Sequence, residues 1–237
     1  MSDSGQTALV TGSSRGIGLS IVERLAREGF QVIATARDPA GSDGLQAAVA
    51  ASAGRIDARA LDVADFAAID ALAAELSDRG VDLLINNAAV QGGDYGDQGF
   101  GASDYETWQE TLRINGLAPM KVMEAFVEHV ARSERKVVVN VSSIMGSCGE
   151  PRFGGVYAYR TSKTLLNGVT ATAACDLRER GITVVALHPG YVRTGLGSPT
   201  ADDTPEMAVD QIWPLIASLG LEQSGAFLNC DGTPYPW

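Results

Sequence analysis

The sequence predicts a doubly wound α/β fold, a single domain over residues 1–237 built on a parallel sheet. Short β-branched apolar runs alternate with longer amphipathic stretches along the whole chain. The runs are almost continuous in apolar character, as strands buried on both faces of a parallel sheet are. A glycine-rich segment directly follows the first run, where such folds turn from strand into helix. No internal repeat or linker divides the chain, and α/β domains of this length often form one unit with a large core. Strand–helix alternation of this kind implies right-handed crossovers.

The predicted strands are "TALVT" (7–11), "QVIATA" (31–36), "DARALDV" (57–63), "VDLLINN" (81–87), "KVVVNVS" (136–142), "ITVVALH" (182–188) and "AFLNC" (226–230). Ile17, Ile21, Leu25 and Glu28 recur at four- and three-residue steps, which is one face of a helix, and Gly29 suits its C-terminal stop. Asp65 is placed to cap a helix carrying Phe66, Ile69, Leu72, Ala73 and Leu76 on one stripe. Further helices are expected over about 104–132 and 157–180, and Thr204 before a proline marks another helix start. Two glycine-rich loops, 91–104 and 190–205, follow strands. Both therefore belong at the carboxyl edge of the sheet, where ligands bind in this fold class. Gly190, Gly195 and Gly197 make 190–205 an expected mobile substrate loop.

Composition narrows the function. Eighteen basic against 29 acidic side chains give a net charge of −11. Such a chain is repelled by phosphate backbones and anionic membranes, so neither nucleic acid nor a membrane is an expected partner. No apolar run reaches membrane-spanning length, and "MSDSGQTALVTGSS" lacks the basic and apolar regions of a signal peptide. Cys148, Cys175 and Cys230 are scattered, without metal-ligand spacing, and read as reduced, buried thiols of a cytoplasmic protein. No metal site is expected.

"VTGSSRGIG" (10–18) joins the first strand to the first helix. Gly12, Gly16 and Gly18 allow tight turns and close approach, and Ser14, Arg15 and Ile17 complete the loop. The helix behind it presents its amide groups and positive dipole end, an anion site suited to a pyrophosphate. The spacing is G-x-x-x-G-x-G and not the commoner G-x-G-x-x-G. The second strand ends in "ATARD" (34–38), without a carboxylate at Ala36 to meet ribose hydroxyls. Arg37 and Arg15 suit a 2′-phosphate by charge and by their forked donors, which favours NADP(H) over NAD. Asp38 is the contrary sign, two residues later.

"YAYRTSK" (157–163) holds two tyrosines and a lysine. At 100° per residue, Lys163 lies about 40° from Tyr159 around a helix axis but about 120° from Tyr157. Tyr159 is therefore the lysine's neighbour. A free tyrosine has a pKa of about 10, and an adjacent ammonium favours the phenolate, bringing the group nearer neutral pH as a general acid/base.

Taken in order, "TGSSRGIG", "LDV" (61–63), "NNAA" (86–89), Asn115 in "RINGLAP", "NVSSIMGS" (140–147), "YAYRTSK" and "HPGYVRT" (188–194) resemble the short-chain dehydrogenase/reductase family over nearly the whole chain. "SSIMGS", "HPGYVRT" and the ending "GAFLNCDGTPYPW" resemble the Sniffer and C-factor-like carbonyl reductases within it. The resemblance implies a Rossmann-type fold and NADP(H)-dependent hydride transfer between a small-molecule carbonyl and its alcohol. By the same resemblance, Tyr159 would be the acid/base and Lys163 would lower its pKa and hold the nicotinamide ribose. Ser143, in preference to Ser142, would orient the carbonyl oxygen. Asn115 would hold a water linked to Lys163. Asp62 and Val63 would meet adenine, Asn87, Ala88 and Ala89 the adenosine side, and Pro189, Gly190, Val192 and Thr194 the nicotinamide. Relatives form dimers and tetramers, so a homodimer or homotetramer is compatible with the chain. The chain departs from the family at Ala89, where glycine is usual, at Tyr191, where the subgroup tends to have tryptophan, and in a long insert between Ser143 and Tyr159.

Two other readings share these residues. One is an alcohol dehydrogenase that runs oxidatively; the other is an NADP-sensing regulator without chemistry, which has no need of the full Asn–Ser–Tyr–Lys set. His188 reads as a structural, hydrogen-bonded histidine and His129 as a surface residue. Tyr95, Met145, Phe153 and Tyr191 come from segments expected to rim the pocket.

Overall fold

The computed structural model describes residues 5–94, 98–149, 154–196 and 200–237. Seven parallel strands form one sheet in the order β3-β2-β1-β4-β5-β6-β7. They are β1 Thr7–Thr11, β2 Gln31–Ala36, β3 Ile56–Ala60, β4 Leu83–Asn86, β5 Val137–Val141, β6 Thr183–Leu187 and β7 Phe227–Leu228. All seven predicted runs become strands: β1 and β2 keep the predicted bounds, β3 starts one residue earlier and ends three earlier, and the others are trimmed at their ends. The largest difference is at β3, an edge strand whose pairing with β2 stops at Ala36–Ala60. Leu61, Asp62 and Val63 consequently leave the sheet as a loop.

The helices are α1 Gly16–Arg27, α2 Asp43–Ala51, α3 Phe66–Glu75, α4 Tyr105–Leu112, α5 Ala118–Ala131, α6 Tyr157–Leu177 and α7 Pro205–Ser218. Gly29, at φ +93°, ends the first helical excursion as expected. Asp65 Oδ1 accepts from the Ala67 and Ala68 amides, and Thr204 Oγ1 from that of Met207. The helix expected over 104–132 is α4 and α5 joined by a π-helical turn, Arg113–Leu117, that contains Asn115. Helix α2 has no counterpart in the sequence reading, because only Leu45 and Ala48 of its alanine-rich stretch are buried.

Alternate residues of each strand serve opposite faces. Val10, Ile85 and Val139 pack under α1, α2 and α7 through Leu25, Leu45 and Ile212. Leu9, Leu84 and Val138 pack under α3, α5 and α6 through Ile69, Phe126 and Ala173. Burying a side chain of this size contributes about 1.5–3 kcal/mol, which is why both faces of the strands read as apolar.

Two expectations are corrected here. His129 is buried, with Nε2 3.0 Å from the Ala73 carbonyl and its ring against Phe126, because α5 turns this face onto α3. Burial holds its pKa below the usual histidine value. Cys148 and Cys175 are exposed and Cys230 half-buried, since their sides of the chain are uncovered. Among the described residues no His/Cys/Asp/Glu group is arranged to hold a metal, and no helix is long and apolar enough to cross a membrane.

Candidate active site

Strand order reverses at β1, which pairs with β2 on one side and β4 on the other. A cleft of about 590 Å³ opens at the carboxyl ends of the strands here. Its floor is the glycine loop. Gly12 (φ +71°) and Gly16 (φ +58°) take left-handed conformations. A methyl on Gly12 would stand 2.7 Å from Ala88 Cα, so only glycine lets the two segments meet. Asn87 Nδ2 donates to the carbonyls of Thr11 and Gly12, fastening the loop from the β4 side. Ala89 takes no left-handed conformation, so the chain accepts alanine there without strain.

Every residue proposed to bind cofactor lines this cleft, from Gly12, Ser14, Arg15, Gly16, Ile17 and Gly18 to Pro189, Gly190, Val192 and Thr194. Arg37, Asp62, Val63, Asn87, Ala88 and Ala89 line it as well. Helix α1 begins here without a side-chain cap and without an acidic residue in its first turn. Its orphan amides and dipole therefore favour an anion. Among the described residues, the Arg15 and Arg37 guanidinium groups have no ion-pair or hydrogen-bond partner. Asp38 does not line the cleft; its carboxylate accepts from the Gly41 amide in a local turn. An open helix end and two uncommitted arginines fit a phosphorylated dinucleotide.

Ser143, Tyr159 and Lys163 line the same cleft. Lys163 is 3% exposed, and its Nζ donates to the Val141 carbonyl at 2.8 Å. Burial lowers its pKa to about 8, so it stays mostly charged at neutral pH. The same Nζ lies 5.7 Å from the centre of the Tyr159 ring. Tyr157 does not line the cleft; its ring packs on Trp108 at 6.0 Å. Ser143 Oγ accepts from the Met145 amide, whereas the Ser142 hydroxyl donates to Asn167 Oδ1 at 2.6 Å. Ser142 is thereby committed to the protein, while Ser143 keeps its proton for a ligand.

Asn115 is not a wall of the cleft. Its amide is fully used: Oδ1 accepts from the Val90 N–H, and Nδ2 donates to the Val90 carbonyl and to Ser162 Oγ. His188 corrects another expectation. It lines the cleft, its buried Nδ1 has no hydrogen-bond partner among the described residues, and burial lowers its pKa to about 4. Met145 and Tyr191 line the cleft, whereas Tyr95, Phe153 and Gly197 lie outside the described residues. Sequence reasoning missed Val90 and Leu196, which line the cleft outside every quoted motif, and gave no role to Ile114, Ile144 and Arg193, which line it from within "RINGLAP", "NVSSIMGS" and "HPGYVRT". The two arms of loop 190–205 are tied together by the Val192–Asp203 bridge and by Arg193, whose side chain donates to the Ala201 and Asp202 carbonyls.

A doubly wound sheet whose switch-point cleft ends at a tyrosine beside a buried lysine has the ground plan of a nicotinamide-dependent oxidoreductase. The family model described as short chain dehydrogenase matches residues 6–205, and the chain belongs to that family. It is 38% identical to C-signal of Myxococcus xanthus over 66% of this chain and 93% of that protein. It is 35% identical to 1-hydroxy-2-glutathionyl-2-methyl-3-butene dehydrogenase of Rhodococcus sp. (strain AD45), covering 98% and 99% of the two chains. Among solved structures, the carbonyl reductase Sniffer of D. melanogaster superposes with a TM-score of 0.92 at 31% identity, over 98% of this chain and all of that one. NADPH-bound carbonyl reductase from chicken fatty liver gives 0.88 at 32% identity, over 98% and 99%.

Proposed function

We propose that the protein is an NADPH-dependent carbonyl reductase of the cytoplasm, acting on a small ketone or aldehyde. The observation that carries this is the convergence of Ser143, Tyr159 and the buried Lys163 on the cleft that also holds the uncommitted Arg15 and Arg37. The nicotinamide, when bound, supplies the hydride. Tyr159 gives its phenolic proton to the carbonyl oxygen, and the Ser143 hydroxyl orients that oxygen by a hydrogen bond. Lys163 keeps a positive charge beside the phenol, which favours proton release. Arg37 and Arg15 take the 2′-phosphate, and the amides of α1 take the pyrophosphate. Asn115 braces the loop after β4 against α6 and lends its main chain to a water on the proton path. The dehydrogenase relative supports a second reading, in which the same groups remove protons and the alcohol is oxidised.

The test is NADPH consumption against aldehydes, α-diketones, quinones and ketoesters, with para-nitrobenzaldehyde as reference, alongside NADP+ reduction with the matching alcohols. Turnover in the first set supports reduction, and turnover only in the second supports oxidation. Failure of both, with tight NADPH binding, leaves the sensing role. We further propose that residues 190–196 and 200–205 tighten over bound cofactor, because Val192 and Thr194 line the cleft. Hydrogen exchange in 190–196 and 200–205 is expected to slow on adding NADP+. Equal protection in both states would mark a fixed loop.

A further inference from the structure

Helix α6 carries Tyr159 but starts poorly by itself. Its N-cap is Val156, which makes no side-chain cap and sits at φ +52°, a left-handed conformation that is a genuine outlier for a β-branched residue. Gly155 before it is also left-handed, at φ +78°. The first amides of a helix have no partner within it, so something else must hold them. Here the partner is Gln98, from the loop after β4. Its main-chain carbonyl accepts from the Tyr157 amide at 3.5 Å, and its side-chain Oε1 accepts from the Tyr159 amide at 3.4 Å.

The rest of the Gln98 side chain is equally committed. Nε2 donates to the Gln91 and Gly93 carbonyls, both at 3.1 Å, and the residue is 4% exposed. The amide thus uses both donors and its acceptor inside the protein. The loop it anchors lies directly on the helix: a methyl on Gly92 would stand 3.0 Å from Ala158 Cβ. On the carboxyl side of Tyr159, Ser162 Oγ donates to the Tyr159 carbonyl and accepts from Asn115 Nδ2. Two amide side chains, Gln98 and Asn115, therefore tie the β4 loop to the main chain on either side of Tyr159.

We propose that Gln98 is a positioning residue for the reaction: it supplies the missing cap of α6 and so fixes Tyr159 against Lys163 and Ser143. The inference rests on the reading of Tyr159 as proton donor. A misplacement of about 1 Å at a reacting group costs on the order of 100-fold in rate. Gln98→Met keeps the volume and removes all three side-chain bonds. Gln98→Glu keeps an acceptor for the Tyr159 amide, with a charge that suits a helix N-terminus, but loses the donors to Gln91 and Gly93.

The experiment measures kcat and KM for para-nitrobenzaldehyde, the pH profile of kcat, and NADPH affinity for the parent, Q98M, Q98E and Y159F. The expected result is a kcat for Q98M lowered about 10- to 100-fold, an acid/base limb moved in pH, and unchanged NADPH affinity, with Q98E within about threefold of the parent. A Q98M kcat within twofold of the parent, or a Q98E as slow as Q98M, overturns the proposal. If Q98M does not fold, Q98E decides alone: near-parent kcat supports the cap, and a tenfold loss overturns it. An active Y159F would instead remove the premise, and is read separately.

Discussion

Tyr159→Phe is expected to lower turnover by about 10²–10⁴-fold, the usual contribution of a general acid/base, with NADPH affinity retained. The substitution keeps the ring and removes only the proton. The glycine loop, Arg15 and Arg37, which line the same cleft, are untouched. Tyr157→Phe is expected to keep most of the activity, because that ring packs on Trp108 outside the cleft. Lys163→Ala should lose activity and weaken cofactor binding together, since the proposed mechanism gives the ammonium both tasks. The pH profile carries a sign as well. Burial brings Lys163 to about 8, so its charge is complete below that value and is lost as pH rises through it. Reduction needs the phenolic proton and the charge that governs it, so the parent's kcat for reduction should fall above about pH 8. Steady-state turnover and NADPH titration of the parent and the three variants check all of this. A dead Tyr157→Phe beside an active Tyr159→Phe would overturn the assignment.

Arg37→Ala is expected to cost NADPH about 10- to 150-fold in affinity and to leave NADH nearly unchanged. That range corresponds to about 1.5–3 kcal/mol for a charge-assisted bond to the 2′-phosphate, at 1.4 kcal/mol per tenfold. Arg37 is exposed and has no protein partner among the described residues, so its loss should not disturb the fold. Arg15→Ala should act in the same direction. Dissociation constants for both nucleotides, in the parent and each variant, make the comparison. A parent that prefers NADH, or an Arg37→Ala with parent-like NADPH affinity, would remove Arg37 from the site.

What the sequence alone determined is what depends on neighbours along the chain. Apolar runs bounded by polar turns gave seven strands, because a strand between two helix layers must be apolar on both sides. The glycines of 12–18 marked the turn onto α1, because Gly12 and Gly16 take left-handed conformations and a side chain at Gly12 or Gly18 would meet Ala88 or the Gly12 carbonyl. Tyr159 could be chosen over Tyr157 because a helix fixes the angle between residues four apart. The residues that line the cleft also followed from motif order.

What only the tertiary structure decided is the partner of each face. His129 reads as a surface residue on a charged helix and is buried, because α3 lies over it. Cys148 and Cys175 read as core thiols and are exposed, because nothing covers them. Helix α2 is too short of apolar residues to announce itself, and the π-helical turn at Asn115 breaks a stretch that reads as one helix. Asn115 reads as a relay residue, yet its amide is spent on Val90 and Ser162, from segments distant in sequence. Gln98 gave no signal at all: a glutamine in a glycine-rich loop has no period or motif. Its importance comes from the amides of α6, 61 residues away, which fold to within reach of its side chain.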